Sequence, residues 1–161
     1  LIKDAGADEF VAKEGEKIKA GRAVLDVLYP FENLAGQEFQ NSNDTSIVNR
    51  LIFGQNSFLF TGDISKSVEK ELVGKEDNID SNVLKVSHHG SKTSTDEDFI
   101  REVLPEIAVI SAGKDNKYSH PHPEVLETLV SYGILIFRTD QEGDIKIISN
   151  GRTYAVSVIQ N

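Results

Sequence analysis

The sequence predicts a layered α/β domain in which short apolar strands are separated by amphipathic helices. Short apolar runs repeatedly end at Gly, Pro or polar clusters, and the stretches between some of them show helical spacing. A chain of 161 residues is long enough for one domain with a proper core. The longest apolar run, residues 133–137, has the size of a strand and is too short to span a membrane. We therefore expect residues 1–161 to form one domain.

The first half of the chain is predicted to consist mostly of strands. A strand that begins near Arg22 should stop at Tyr29 and Pro30, because proline cannot donate to a strand ladder. Residues 54–56 (GQN) are typical of a short hairpin turn. Helical spacing then follows, with Ser65 as a candidate N-cap. The expected elements are a ragged strand and turn to about Ile18, strands at 22–28, 46–53 and 57–61, a loop at 31–44, and a helix at 64–73.

The second half alternates strands with two helices. Pro123 near the first turn and Gly133 past the last turn bracket one helix, since these residues favour opposite helix ends. The other helix begins with acidic residues, which suits the helix dipole. Its apolar face should carry Phe99, Ile100, Val103 and Leu104. The expected helices are 95–104 and 123–131, and the expected strands are 83–86, 107–110, 134–138, 145–148 and 154–158.

The charge balance restricts the partners. A net charge of −9 argues against a general nucleic-acid binder, whose surface should be basic. Several cationic residues nevertheless lie near the histidine segments and would suit a phosphate-bearing substrate, although they would equally serve solubility: Lys85, Lys92, Lys114, Lys117 and Arg138. Because the chain has no cysteine, any metal must be held by nitrogen and oxygen ligands.

The four histidines occur as two pairs, each after an apolar strand-like run. The first pair, His88 and His89, lies in the sequence SHHGS. Neighbours on a strand point to opposite faces, so we expect one histidine to bind a metal and the other to support it or contact substrate. Gly90 and Ser91 would then offer a backbone N–H and a hydroxyl to an oxyanion. In the alternative interpretation, one histidine packs in the core and the other caps a turn.

Asp63 follows the buried apolar strand at 57–61 and the glycine Gly62. A carboxylate placed there is neutralised by a partner, caps the helix that follows, or binds a metal. The second histidine pair lies in a loop with Lys114, Asn116 and Lys117, which is typical either of a phosphate-contacting loop or of a plain polar loop. His120 is predicted to be extended because it precedes a proline. His122 is predicted to be exposed to solvent.

These motifs, taken in order, resemble the carboxyl-terminal metallo-β-lactamase-fold domain of the ComEC competence proteins and their stand-alone hydrolase relatives. The resemblance runs from about Ala23 to about Asn150 and implies an αββα sandwich. It rests on five segments: NDTSIV at 43–48, FLFTGD at 58–63, VLKVSHHGS at 83–91, SAGKDNKYSHP at 111–121 and RTD at 138–140.

The resemblance also implies a site with two divalent metal ions, zinc or manganese. Asp63 resembles the carboxylate that bridges the metals. His88 resembles the histidine that binds the second metal, and His89 is the second choice. Asn43 is a weak candidate ligand. Residues on the substrate side would be Ser91, Asn116, Lys117 and His120.

The activity implied is hydrolysis of a phosphodiester by a metal-activated water that Asp63 orients. His120 would protonate the leaving oxygen, while Ser91 and nearby lysines would stabilise charge on the phosphate. In the ComEC setting, this implies DNA uptake, with DNA as the partner and a membrane channel domain attached in the full protein. The localisation would then be at a bacterial membrane.

The family's first metal motif, His-x-His-x-Asp-His, is not found in this sequence. We therefore expect the chain to be a partial domain that lacks the amino-terminal half, with an uncovered apolar edge that favours low solubility or a dimer. Two alternatives stay open. The chain could be a non-catalytic module that binds DNA or a partner, or it could belong to a hydrolase of a lactone, β-lactam or thioester.

Overall fold

A seven-stranded sheet organises the computed structural model, which describes residues 6, 10–75 and 78–159. The mixed α/β fold class predicted from the sequence is confirmed. The strands are β1 (Lys17–Ala20), β2 (Ala23–Tyr29), β3 (Val48–Phe53), β4 (Asn56–Phe60), β5 (Val83–Lys85), β6 (Ile107–Ile110), β7 (Leu135–Arg138), β8 (Asp144–Ser149) and β9 (Tyr154–Ile159). The helices are α1 (Lys66–Val73), α2 (Glu97–Val103), α3 (Pro123–Ser131) and the single turn α4 (Thr139–Glu142).

The strands of the large sheet follow one another in chain order, and the sheet changes character at β4. Strands β1 to β4 pair antiparallel, whereas β4 to β7 pair parallel. Parallel neighbours end at the same edge of a sheet, so the segments that follow β4, β5 and β6 emerge side by side. These segments contain Asp63, the first histidine pair and the second histidine pair.

The core lies on the face of the sheet that the helices cover. Leu59 and Leu84 from the sheet pack there against Leu72 of α1, Phe99 of α2 and Leu129 of α3, all of them at most 1% exposed. Burying a side chain of this size contributes about 1.5–3 kcal/mol. This packed layer gives the loops at the sheet edge a rigid base. In the described part of the chain, no helix has the length and hydropathy needed to cross a membrane.

The opposite face of the sheet is covered differently. Strands β8 and β9 form a separate antiparallel pair that packs over it, where Phe58 and Tyr154 meet edge to face with ring centroids 6.3 Å apart. Between the two sheets an apolar groove of about 520 Å³ stays open, lined by residues such as Phe58, Phe60 and Ile147. Phe60 is 41% exposed.

Most element boundaries agree with the sequence prediction to within one or two residues. Helix α3 has the predicted bounds, and the β3–β4 turn consists of Gly54 and Gln55. Leu104 differs: the sequence predicted it on the buried face of α2, but it ends that helix in a left-handed conformation and is 70% exposed. Helix α2 also starts two residues later than expected. The predicted opening segment falls partly on residues 1–5 and 7–9, which lie outside the described residues.

Candidate active site

Four loops meet at the edge of the sheet where β4, β5 and β6 end. They contribute Asn43, Asp63, the first histidine pair and His120. The imidazole ring of His120 lies 5.7 Å from that of His88 and 6.4 Å from that of His89, measured between centroids. The structure therefore brings together residues that are up to 77 positions apart, as the sequence reasoning expected.

The side chains of Asp63 and His89 face each other across the site. Asp63 Oδ1 lies 3.6 Å from His89 Nε2, and both side chains are about two-fifths exposed. The opposite ring nitrogen, His89 Nδ1, donates to the backbone carbonyl of Ser111 at 2.6 Å. A carbonyl can only accept, so Nδ1 carries a proton, and in the neutral imidazole this leaves Nε2 as the acceptor that faces Asp63.

His88 has both ring nitrogens engaged by polar side chains. Asn43 Nδ2 lies 3.3 Å from His88 Nε2, and Thr93 Oγ1 lies 3.4 Å from His88 Nδ1. With the Asn43 amide donating to Nε2, Nδ1 is left to donate to the Thr93 hydroxyl. The geometry thus leaves His89, which the sequence placed second, with the more available nitrogen. Asn43 contacts His88 rather than Asp63.

The first histidine pair does not continue the strand, and this corrects the expected alternation. His88 and His89 both have left-handed backbones, with φ of 48° and 57°. Their rings consequently reach the same cluster, with centroids 6.4 Å apart. Asn, Asp and His enter this conformation more readily than other non-glycine residues, because their short polar side chains can bond locally. The residue pattern of a strand does not reveal this turn.

Asp63 is held through its backbone rather than through its carboxylate. Its amide donates to Ser46 Oγ at 3.0 Å, and Gly62 is so close to Ser46 that an added Cβ would lie 2.7 Å from the Cβ of Ser46. The amide of Ser65, ahead of α1, donates instead to Asp44 Oδ1 at 3.2 Å. Asp44, not Asp63, therefore accepts the hydrogen bond from the backbone just before this helix. The Asp63 carboxylate faces the histidines instead.

A buried carboxylate that the sequence analysis missed supports the first histidine pair from below. Glu69 of α1 is 0% exposed. It accepts from Ser87 Oγ at 2.8 Å, from the Thr95 amide at 3.0 Å and from the Asp96 amide at 2.8 Å. Burial raises the pKa of Glu69, and these three hydrogen bonds offset part of that effect. Ser87 directly precedes His88, so this contact fixes where the turn begins.

The second histidine pair is positioned by Asn116 and by a close contact with the first. Asn116 Oδ1 accepts from the His120 amide at 2.9 Å, while Asn116 Nδ2 donates to the carbonyls of Gly113 and His120 at 2.8 and 2.7 Å. The amide of His122 donates to the carbonyl of Gly90 at 2.9 Å. The side chain of Asn116 thus makes its hydrogen bonds within its own loop.

His120 and His122 differ from the sequence prediction in their surroundings. His122 was predicted to be exposed, but it is half-buried, and its ring centroid lies 5.0 Å from that of His120. Its Nδ1 is buried and has no hydrogen-bond partner among the described residues. Burial, followed by the neighbouring histidines, lowers the pKa of His120, whereas Asp63 acts in the opposite direction. A protonated His120 is therefore a stronger acid than an ordinary imidazolium.

The remaining predicted substrate-side residues occupy contrasting positions. Ser91 is buried, and its hydroxyl lies 3.0 Å from Thr93 Oγ1. Thr93, which is exposed, is the hydroxyl that reaches His88. Lys117 is exposed, and its Nζ lies 5.0 Å from the ring centroid of Tyr118.

A half-buried lysine lies beneath Asp63. Lys85 Nζ donates to the carbonyls of Gly62 and Val86 at 3.4 and 3.3 Å. Burial lowers the pKa of Lys85, and the negative charge of Asp63 counteracts this effect. The ammonium joins the loop that carries Asp63 to the segment that leads into the first histidine pair.

The donor set fits a metal ion only in part. Two ligands bound about 2.1 Å from one tetrahedral ion lie about 3.4 Å apart, close to the 3.6 Å between Asp63 Oδ1 and His89 Nε2. Across residues 10–75 and 78–159, however, no group of three or more His, Asp or Glu side chains is arranged to hold an ion. This part of the chain supplies nitrogen and oxygen donors of suitable chemistry but not a closed coordination shell.

Comparison with known proteins gives a consistent result. The profile of the metallo-beta-lactamase superfamily matches residues 17–114. The chain is 38% identical over 157 residues to ComE operon protein 3 of Bacillus subtilis (strain 168), covering 98% of the chain and 20% of that protein. It is 40% identical over 119 residues to competence protein ComA of Neisseria gonorrhoeae, covering 72% of the chain and 17% of that protein. The chain therefore spans a fifth or less of the length of these relatives.

Proposed function

The chain belongs to the metallo-β-lactamase superfamily, and from this premise we propose that it carries part of the site of a metal-dependent phosphodiesterase or nuclease. The observation that carries the proposal is the facing pair of Asp63 Oδ1 and His89 Nε2, 3.6 Å apart at the edge of the sheet. The similarity to competence proteins supports DNA as the substrate and a role in DNA uptake, next to an attached membrane domain.

In this proposal Asp63 and His89 are the leading metal ligands. His88 becomes a ligand once the Asn43 amide turns away from its Nε2. Divalent zinc or manganese would supply a nucleophilic water at neutral pH and neutralise phosphate charge. Because the donor set of the described residues is partial, the other ligands of a binuclear site must come from outside them.

His120 and the loop lysines act on the substrate side. The ring centroid of His120 lies 5.7 Å from that of His88 and 6.4 Å from that of His89. A phosphodiester held at Asp63 would therefore place its leaving oxygen near the His120 imidazole. The lowered pKa makes protonated His120 a stronger proton donor than an ordinary imidazolium. Lys117 would attract the phosphate electrostatically, while Ser91 would act through Thr93 and Asn116 through the shape of its loop.

The proposal is tested by adding Mn²⁺ to the isotope-labelled chain and recording NMR spectra. A bound paramagnetic ion should broaden the signals around Asp63, His88 and His89 most strongly, and the effect should fall off with distance from them. The variants Asp63→Asn and His89→Asn should each abolish this broadening, and Asn suits position 89 because it also tolerates a left-handed backbone. Asp98→Asn removes an exposed carboxylate on α2 and is the matched control. Uniform weak broadening, or broadening unchanged by Asp63→Asn, would contradict the proposal.

One observation favours a second candidate function. The donor set is incomplete among the described residues, as expected for a non-catalytic module that binds DNA or a partner. The Mn²⁺ experiment separates the two, since such a module needs no selective metal binding at Asp63. For an active preparation, parallel assays with a phosphodiester and a lactone would decide between the phosphodiesterase and the lactone, β-lactam or thioester hydrolase.

A further inference from the structure

A row of aromatic rings leads from the candidate site to the protein surface. The ring of Tyr118 stacks on that of His120 with a centroid distance of 5.6 Å and an interplanar angle of 24°. The ring of His120 in turn lies nearly parallel to that of His89, at 6.4 Å and 18°. Tyr118 is 61% exposed, so the row of rings ends at the protein surface.

Tyr118 also borders a small cavity next to the candidate acid. The cavity has a volume of about 280 Å³, and its walls are the rings of His89, Tyr118 and His120 and the loop from Ser111 to Gly113. This size is below that of typical drug-binding pockets, so it suits one small planar group. Asn116 stabilises the loop that forms this wall through its three hydrogen bonds.

From this arrangement we propose that Tyr118 forms a nucleobase-stacking subsite beside His120, so that the site takes single-stranded nucleic acid. The inference rests on the proposed phosphodiesterase function, because it names the group attached to the phosphate. An aromatic side chain can stack on any base, whereas bases in a duplex are already stacked on both faces. A base at Tyr118 would lie beside His120, because the two rings are stacked.

The acidic charge of the protein restricts how it can hold such a strand. With a net charge of −9, the chain cannot gain much affinity for nucleic acid from general electrostatic attraction. Short-range contacts must then supply most of the affinity, and stacking is a short-range contact that tolerates every base. Lys117, with its Nζ 5.0 Å from the Tyr118 ring centroid, adds a single local cation that can turn from the ring to the phosphate.

The test compares binding of a short oligothymidylate with binding of an abasic strand of the same length, by fluorescence anisotropy with a chelator present. Base stacking contributes about 1–3 kcal/mol, so the chain should prefer the strand with bases by about 5-fold to 150-fold. Tyr118→Ala should abolish this preference, while Tyr118→Phe should retain it. Tyr132→Ala, at the far end of α3, is the matched control and should also retain it.

Three results would overturn the inference: equal affinity for the two strands, no binding of either strand, or a preference that survives Tyr118→Ala. The chelator removes any contribution of metal, so this outcome is independent of the Mn²⁺ experiment. A base preference without selective Mn²⁺ broadening would retain the stacking subsite and reject the metal-dependent function.

Discussion

The two loops that carry the histidines are anchored in different ways. The first histidine loop (residues 87–95) is held from below by Glu69, a buried carboxylate on a helix 18 residues earlier in the chain. The second histidine loop (residues 111–122) is held mainly by Asn116, which lies within the loop itself. The loop with the proposed metal ligands is therefore held by a tertiary contact, and the loop with the proposed substrate-side residues is held by a local one. Damage to the first anchor should affect the whole fold, and damage to the second only the loop.

The largest loss of stability is expected from Glu69→Ala, which removes the anchor of the first histidine loop. The substitution leaves the buried amides of Thr95 and Asp96 without an acceptor and opens a cavity under the first loop. We expect a loss of about 3–5 kcal/mol in the free energy of unfolding. Urea denaturation measures it, with Glu71→Ala on the exposed side of α1 as a control that should change stability by about 0.5 kcal/mol at most. A loss below about 1 kcal/mol for Glu69→Ala would contradict the anchoring role.

The contact between the two loops is tested by Gly90→Ala. Gly90 has a φ of +79°, and an added Cβ would lie 2.6 Å from the Cβ of Pro121. Gly133→Ala is the matched control, because Gly133 has a φ of +70° with no neighbour within 4 Å of an added Cβ. Both variants should lose about 1–2 kcal/mol to backbone strain, and Gly90→Ala about 1–3 kcal/mol more through overpacking. Equal losses in urea denaturation would show that the loops are not tightly packed.

The smallest effect is expected from Asn116→Ala, which should release the second loop while leaving the fold stable. Stability should fall by about 1 kcal/mol, whereas the His120 amide should lose its protection from hydrogen exchange. Asn116→Asp retains an acceptor for that amide and loses both donated bonds, so it should keep most of the protection. If both variants exchange at the wild-type rate, Asn116 does not organise the loop.

The same contrast explains what the sequence could predict. The bounds of α3 follow from local chemistry, with Pro123 at its start and Gly133 beyond its end, and the structure has them where expected. The sequence also indicated the sheet edge that carries the site, because the polar segments after parallel apolar strands emerge at the same edge of a sheet. Glu69 could not be found in this way. On an amphipathic helix a glutamate is normally a surface residue, and its burial depends on two amides far along the chain.

Backbone conformation was the other limit. The alternation rule assumed that the strand continues through His88 and His89, but both residues adopt left-handed backbones, a state that no spacing pattern reveals. The prediction for Leu104 was wrong for a related reason. Helix α2 ends at Leu104, whose left-handed backbone turns its side chain away from the predicted apolar face. The half-burial of His122 depends on the neighbouring loop and likewise has no local signal.

The two consecutive left-handed residues restrict how this chain can diverge. Valine or isoleucine at either position would meet a steric penalty before any question of chemistry arises, whereas Asn, Asp and Gly keep the turn. Substitutions that preserve the backbone at positions 88 and 89 are thus limited to a few amino acids. Two of them, Asn and Asp, carry an oxygen atom that can bind a metal. A variant with Asn, Asp or Gly in place of both imidazoles could keep the shape of this loop, so the fold alone does not reveal whether the histidines are present.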